Sequence, residues 1–172
     1  TGVTAITGSI SDINSIPAVE TSQGNAGQQI DLDTNFTVTV TDTGSVAATT
    51  LTTLDSGVPG TVTANNVATV TGTAAEIAAA ATADENGTLV LKSDFAATVG
   101  AGTASASDLN TIKSRTSGTI TVNETTTITG TTSQLTSLYE ASGFSGLGDE
   151  AITITNQTEA TATAINLVNG FS

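Results

Sequence analysis

The sequence contains no histidine, cysteine, methionine or tryptophan, and only three of its 172 residues are lysine or arginine. Without histidine or cysteine, the chain cannot assemble a Ser-His-Asp or Cys-His nucleophile, an ordinary zinc site or a disulfide framework. Five aromatic residues are also too few to line a typical sugar-binding groove. We therefore expect that the protein is not an enzyme and has no small-molecule substrate.

The charge is strongly one-sided, because sixteen acidic residues face three basic ones and the net charge is −13. Binding to DNA, RNA or anionic lipid depends on neutralising phosphates, so neither nucleic acid nor a membrane surface is expected as a partner. No run of 18 apolar residues occurs, and membrane insertion is not expected. The chain begins at Thr1 without a secretion signal, which indicates a processed product or a piece of a longer protein.

The remaining composition is dominated by 38 threonines and 24 alanines. Hydrophobic residues make up 37% of the chain, and only two residues are proline. Disordered acidic segments are poor in hydrophobic residues, so this composition predicts a folded protein.

Two types of segment alternate along the chain. The first type contains Ile6-Thr-Gly8, Val70-Thr-Gly72 and Ile128-Thr-Gly130, each followed by Ser or Thr and then by spaced apolar residues. The second type is centred on Leu51, Leu109 and Ile165. The interval from Gly72 to Gly130 equals that from Leu51 to Leu109. A recurring period of about 58 residues predicts a repeat architecture.

Each unit combines a strand pattern with a helix pattern. Apolar and β-branched residues alternate in segments such as Thr37–Thr41, which predicts a strand with one apolar face. Apolar residues three apart follow a Thr or Ser N-cap, with Glu76 or Gln134 near the start, which predicts a short helix. A glycine then ends each unit, where a helix C-terminus or turn is expected to need a positive φ. These glycines are Gly57, Gly60, Gly87, Gly118 and Gly143.

These patterns also predict the core. The inward strand residues are expected to be Val38, Val40, Val62, Val70, Leu89, Leu91, Ile120, Val122, Ile128, Ile152 and Ile154. The helix residues that cover them are expected to be Ile13, Leu51, Leu54, Ile77, Leu109, Ile112, Leu135, Leu138 and Ile165.

A unit of one strand and one short helix cannot bury its own apolar face, so it must stack on neighbouring copies. We therefore predict an α/β solenoid with parallel β-sheet, a single array over residues 1–172 with about six units of roughly 25 to 30 residues. Residues 20–36 and the insertion Phe95–Gly102 match the pattern poorly. The alternative is an all-β sandwich of Thr-rich strands, but a sandwich has no use for the Ala-rich helical segments.

Three segments resemble the tandem repeats of very large cell-surface proteins of marine cyanobacteria, including those linked to swimming motility. They are Val67-Ala-Thr-Val-Thr-Gly-Thr-Ala-Ala-Glu-Ile77, Thr103-Ala-Ser-Ala-Ser-Asp-Leu-Asn-Thr-Ile112 and Leu138-Tyr-Glu-Ala-Ser-Gly-Phe-Ser-Gly-Leu-Gly-Asp-Glu-Ala-Ile-Thr-Ile154. The likeness extends over nearly the whole chain from Thr37 onward. It implies an extracellular, type I secreted, structural or adhesive array, with no catalytic residues to transfer.

One segment resembles the start of a calcium-binding loop. Asp31, Asp33 and Asn35 place oxygen ligands at alternate positions, which suits a hard cation. The segment lacks the glycine and the late bidentate glutamate of such a loop. A polar turn that leads into the strand at Thr37 is therefore the favoured interpretation, and calcium is the one cofactor that the sequence leaves open.

Threonines at alternate positions, such as Thr37 and Thr39 or Thr127 and Thr129, could align across units into rows of hydroxyl and methyl groups. Such rows resemble the ice-binding faces of β-solenoid antifreeze proteins, although threonine also suits any half-exposed strand.

The sequence thus favours a non-catalytic extracellular structural segment of a surface-layer, adhesin or filament-type protein that acts as a rod or spacer. The alternative is a binding module for ice or for calcium-dependent adhesion. The expected partners are adjacent repeats of the same protein or subunits stacked end to end.

Overall fold

The computed structural model describes residues 2–15 and 32–156, which form an α/β fold. The strands are β1 (Val3–Gly8), β2 (Leu32–Val40), β3 (Ser45–Ala47), β4 (Val62–Ala64), β5 (Thr69–Gly72), β6 (Leu89–Leu91), β7 (Ala96–Val99), β8 (Gly102–Ser105), β9 (Ile120–Thr121), β10 (Thr125–Gly130), β11 (Phe144–Ser145) and β12 (Ala151–Ile154). The helices are α1 (Ile10–Ser15), α2 (Ala48–Gly57), α3 (Ala74–Asn86), α4 (Ala106–Arg115) and α5 (Thr132–Glu140).

The strands form three sheets in which all the pairs described are parallel. The first sheet has the order β1-β2-β4-β6, the second β3-β5-β7-β9-β11 and the third β8-β10-β12. Parallel neighbours need a crossover between them, and a helix lies in each crossover from β2 to β4 and onward. The α/β class and the parallel pairing predicted from the sequence are confirmed.

The register of the first sheet advances in two nearly equal steps along the chain. Val38 pairs with Val62, and Val62 pairs in turn with Leu89. The second step is slightly longer because it contains α3, which has 13 residues where α2 has 10. The three extra residues lengthen the helix, so the strands on either side still pair in the same way.

Two strands precede each of the helices α2, α3 and α5, whereas the sequence patterns predicted a single strand per helix. The prediction was wrong because strands such as Ser45–Ala47 and Ile120–Thr121 are only two or three residues long. Alternation of apolar and polar residues cannot be recognised over so short a segment.

Three strands, β6, β7 and β8, precede α4. The sequence between α3 and α4 therefore contains one extra strand, and the insertion predicted at Phe95–Gly102 coincides with β7 and the turn into β8. The next strand, β9, pairs with β7 and not with β6. Before this junction, the two strands that precede a helix belong to the first and second sheets. After it, they belong to the second and third sheets, which is a sideways shift of the pattern by one sheet.

The predicted core is largely confirmed. The predicted inward strand residues from Val38 to Ile128 and the predicted helix residues from Ile13 to Leu138 are all buried. Ile152 and Ile154 are only partly buried, because β12 is the last described strand of its sheet. Ile165 lies outside the described residues. The all-β alternative is wrong, since Leu109 and Leu135 are buried on helices α4 and α5.

Two helices begin with the predicted capping signal. The Thr73 hydroxyl accepts the Glu76 N–H at 3.3 Å, and the Glu76 carboxylate accepts the Thr73 N–H at 2.8 Å. Thr131 and Gln134, one repeat period later, form the same pair of bonds at 3.3 and 2.9 Å. Each capping box satisfies two main-chain groups that a helix start otherwise leaves unpaired.

The predicted role of the closing glycines is correct at only two positions. Gly87 caps α3 with a φ of 78°, and Gly143 has a φ of 94°. Gly57, Gly60 and Gly118 have no positive φ. At Gly60 and Gly118 the reason for glycine is a close approach: a Cβ would meet main-chain oxygens of the preceding strand–helix unit.

Candidate functional site

Two of the three predicted calcium residues, Asp33 and Asn35, lie in the described part of the chain. Asp33 and Asn35 are exposed in β2, and the Asp33 carboxylate accepts the Asn35 N–H at 3.0 Å. The strand thus begins before the predicted start at Thr37, and its pairing with β1 is irregular over this segment. Asp31 lies outside the described residues. No group of three acidic residues that could hold a metal occurs within residues 2–15 and 32–156, so calcium at this position stays a prediction.

Many other acidic side chains hold main-chain or hydroxyl groups in place. The Asp42 carboxylate accepts the N–H of Ile10 at the start of α1 at 2.8 Å. Asn156 plays the same part for α5, where its side-chain oxygen accepts the N–H of Thr132 at 2.9 Å. In both cases the residue lies just after a later strand, β2 or β12, and caps a helix that precedes that strand in the chain. These polar residues therefore hold the start of a helix to a segment much later in the sequence.

The register aligns side chains in three rows that cross the sheets, and all of their members except Ala47 and Val90 carry a hydroxyl group. The longest row lies on the second sheet, and shorter rows lie on the first and third. They are Ala47, Thr71, Thr98, Thr121 and Ser145; Thr7, Thr39, Thr63 and Val90; and Ser105, Thr129 and Thr153. The threonines are thus aligned, but they are distributed over three sheets.

A buried polar cluster lies where α5, the following loop and β12 meet. Glu150 immediately precedes β12 and is only 4% exposed. One carboxylate oxygen, Oε2, accepts the Gly148 N–H at 2.9 Å and the Tyr139 hydroxyl at 3.3 Å. Tyr139 lies near the end of α5, and Gly148 has a φ of 124° in the glycine-rich loop. The cluster therefore joins the end of α5 to a loop that lies several residues later in the sequence.

Burial and the nearby carboxylates raise the pKa of the Tyr139 hydroxyl. Burial of the hydroxyl, then the negative charge of Glu150, its hydrogen bond and finally the charge of Asp149 raise the pKa of Tyr139 to about 12. All four effects act in the same direction, because each one disfavours a tyrosinate anion.

This pKa predicts how stability depends on alkaline pH. The folded pKa lies above the ordinary value of 10.0, so the stability due to the neutral phenol is complete below pH 10 and is lost as the pH rises towards 12. In metal-free protein with chelator, we expect the urea midpoint of the wild type to fall more steeply over this range than that of Tyr139→Phe. Parallel curves for the two proteins would contradict the prediction.

In the sequence, Asp149 and Glu150 lie at a glycine-bounded turn, where such residues could hold calcium but are more simply interpreted as solvated loop acids. The burial of Glu150 was therefore not predicted. The available signal is a change of residue type between segments of similar sequence. Thr125 and Tyr139 occupy the positions that Val67 and Ala81 have in the earlier segment, and both of those earlier residues are fully buried and apolar. Polar residues at two positions that are apolar in the earlier segment mark this part of the interior.

Comparison with family models, curated protein sequences and solved structures finds no match for the chain. None of the helices in residues 2–15 and 32–156 is both long and apolar enough to cross a membrane.

Proposed function

We propose that the protein is a non-catalytic structural segment of a surface-layer, adhesin or filament-type protein, in which it acts as a rod or spacer. The observation that carries this proposal is the register: strands about 25 residues apart along the chain pair in parallel from one unit to the next. An arrangement of this kind grows by adding units in one direction.

The proposal includes a solenoid of stacked units. Each added unit lengthens a stack of parallel strands by about 4.8 Å, so a long spacer requires many units. Helices α2 and α3, α3 and α4, and α4 and α5 are in contact, as a stack requires. Stacking on a neighbour is also the way in which a short strand and helix can bury a common core.

The partners proposed for this segment are further repeats of the same protein or other copies stacked end to end. Sedimentation velocity over a range of protein concentrations distinguishes them. Growth of the sedimentation coefficient with concentration supports stacking of copies, whereas a concentration-independent monomer supports repeats within one chain.

We propose an extracellular location at the cell surface, supported by the resemblance to cyanobacterial surface repeats and by the high negative charge, which favours solubility. Antibodies against the chain are expected to label intact cells of the source organism without permeabilisation. Labelling that appears only after permeabilisation would contradict the location and the role as a surface spacer.

The aligned threonine rows support ice binding as the second candidate. Thermal hysteresis measured at high protein concentration separates the two functions, since a spacer has no effect on ice growth. A hysteresis that is lost when Thr98 and Thr121 are replaced by aspartate would overturn the spacer function in favour of ice binding.

A further inference from the structure

Two buried side-chain oxygens lack a hydrogen-bond partner at the start of two adjacent strands. They are Glu150 Oε1 and Thr125 Oγ1, on residues that are 4% and 5% exposed. Thr125 begins β10 and Glu150 immediately precedes β12. The register, which pairs Thr127 with Ala151, places both residues at the same end of the sheet.

The Glu150 carboxylate is held in position through its other oxygen. Oε2 accepts hydrogen bonds from the Gly148 N–H and the Tyr139 hydroxyl. No ion pair joins Glu150 to a basic residue within residues 2–15 and 32–156, where the ion pairs are Lys92–Asp94 and Arg115–Asp84. A buried carboxylate without a cation is costly, since both its charge and its unpaired oxygen have lost their water.

The fold does not require polar residues at this place. Val67 corresponds to Thr125 in the repeat and forms the same turn: its N–H donates to the Ala64 carbonyl at 3.1 Å, as that of Thr125 does to Val122 at 2.8 Å. Val67 and Ala81, the counterpart of Tyr139, are both fully buried. The apolar version of the turn is therefore stable in the same protein, so the polar version needs another explanation.

We propose that Glu150 Oε1 and Thr125 Oγ1 are ligands of a calcium ion at the junction of β10, β12 and the loop after α5. Carboxylate and hydroxyl oxygens are hard donors, and the chain has no histidine or cysteine to favour a softer metal. The neighbouring Asp149 adds negative charge, and main-chain carbonyls and water fill the remaining coordination positions, as is usual for calcium. The inference does not depend on the proposed spacer function.

Terbium luminescence tests this site selectively. Tyr139 is the single tyrosine and the chain has no tryptophan, so tyrosine-sensitised terbium emission reports an ion near Tyr139 alone. We expect saturable emission that calcium displaces and that Glu150→Gln abolishes. Asp33→Asn, which changes the other candidate calcium residue, is expected to leave the emission unchanged. Emission that is absent, or equal in Glu150→Gln and wild type, would overturn the proposal.

Thermal unfolding provides the second measurement. Calcium is expected to raise the Tm of the wild type by several degrees relative to chelator, because a ligand that binds the folded state stabilises it. Thr125→Val, which restores the residue type of Val67, is expected to fold and to weaken calcium affinity at least about tenfold. A calcium response that is unchanged in Thr125→Val and Glu150→Gln, or a response to magnesium but not calcium, would overturn the assignment.

Discussion

Gly118→Ala is expected to lower the free energy of unfolding by about 3 kcal/mol, a large effect for one methyl group. A Cβ at this position would lie 2.6 Å from the Asp94 carbonyl oxygen and would collide with that of Phe95. These are main-chain atoms, and Phe95 is fully buried, so neither can move aside without disturbing the core. Urea unfolding of the variant and the wild type measures the difference.

The matched variants are at Gly60 and Gly57. A Cβ at Gly60 would lie 2.5 Å from the Phe36 carbonyl oxygen. Gly60→Ala is therefore expected to destabilise the protein as Gly118→Ala does. Gly57 ends α2 with nothing within 4 Å of a new Cβ, and Gly57→Ala is expected to be neutral or to stabilise by up to about 1 kcal/mol. Equal, small effects at all three positions would show that successive units do not approach this closely.

The interval between similar segments could be recognised in the sequence because it recurs in features that depend on local chemistry. The capping boxes at Thr73 and Thr131 are separated by the same interval as the close approaches at Gly60 and Gly118. The helices carry apolar residues at a spacing that fixes their buried face, as in Leu109 and Ile112. Such patterns lie within one segment, so they can be recognised without knowledge of the neighbouring segments.

The short strands and the sideways shift could not be predicted in the same way. The residues of β8, Gly102–Ser105, have the same small and hydroxyl chemistry as those of β3, Ser45–Ala47. β3 nevertheless belongs to the second sheet and β8 to the third. The choice of sheet depends on which strand is available for pairing, and this information lies elsewhere in the chain.

The buried cluster at Glu150 could be predicted only in part. Asp149 and Glu150 in a glycine-rich segment predict an acidic turn, and most acidic turns are exposed. The buried Glu150 carboxylate accepts a hydrogen bond from the hydroxyl of Tyr139, which lies near the end of α5. A contact of this kind depends on how the helix packs, which the spacing of residues along the chain does not determine.

Arg115→Met is expected to lower the free energy of unfolding by about 2 kcal/mol, because it leaves the Asp84 carboxylate without its cation. Asp84 is 12% exposed and accepts bonds from Arg115 Nε and Nη2 at 3.0 and 2.7 Å. Loss of one partner from a fully buried pair costs about 3 to 5 kcal/mol, and the value is reduced here because Arg115 is one-third exposed. Urea unfolding measures the loss.

The position of this ion pair suggests what it contributes. The other Asp84 oxygen accepts the Leu91 N–H at 2.8 Å, at the end of β6, where the first sheet stops among the described strands. Arg115 ends α4, and the next strand in the chain is β9 on the second sheet. The pair therefore joins the two sides of the sideways shift, and Asp84→Asn should cost less than Asp84→Ala because its amide oxygen can still accept the Leu91 N–H.

A double-mutant cycle between Asp84 and Arg115 measures their coupling directly, with the exposed pair Lys92 and Asp94 as the control. Side chains of the control pair are 45% and 55% exposed, and its coupling is expected to be below about 1 kcal/mol. A larger coupling for Asp84 and Arg115 would mean that the shift between sheets is stabilised by a specific polar contact as well as by strand pairing. Equal couplings would leave the strand pairing of β7 and the packing of α3 against α4 as the contacts that join the two sides.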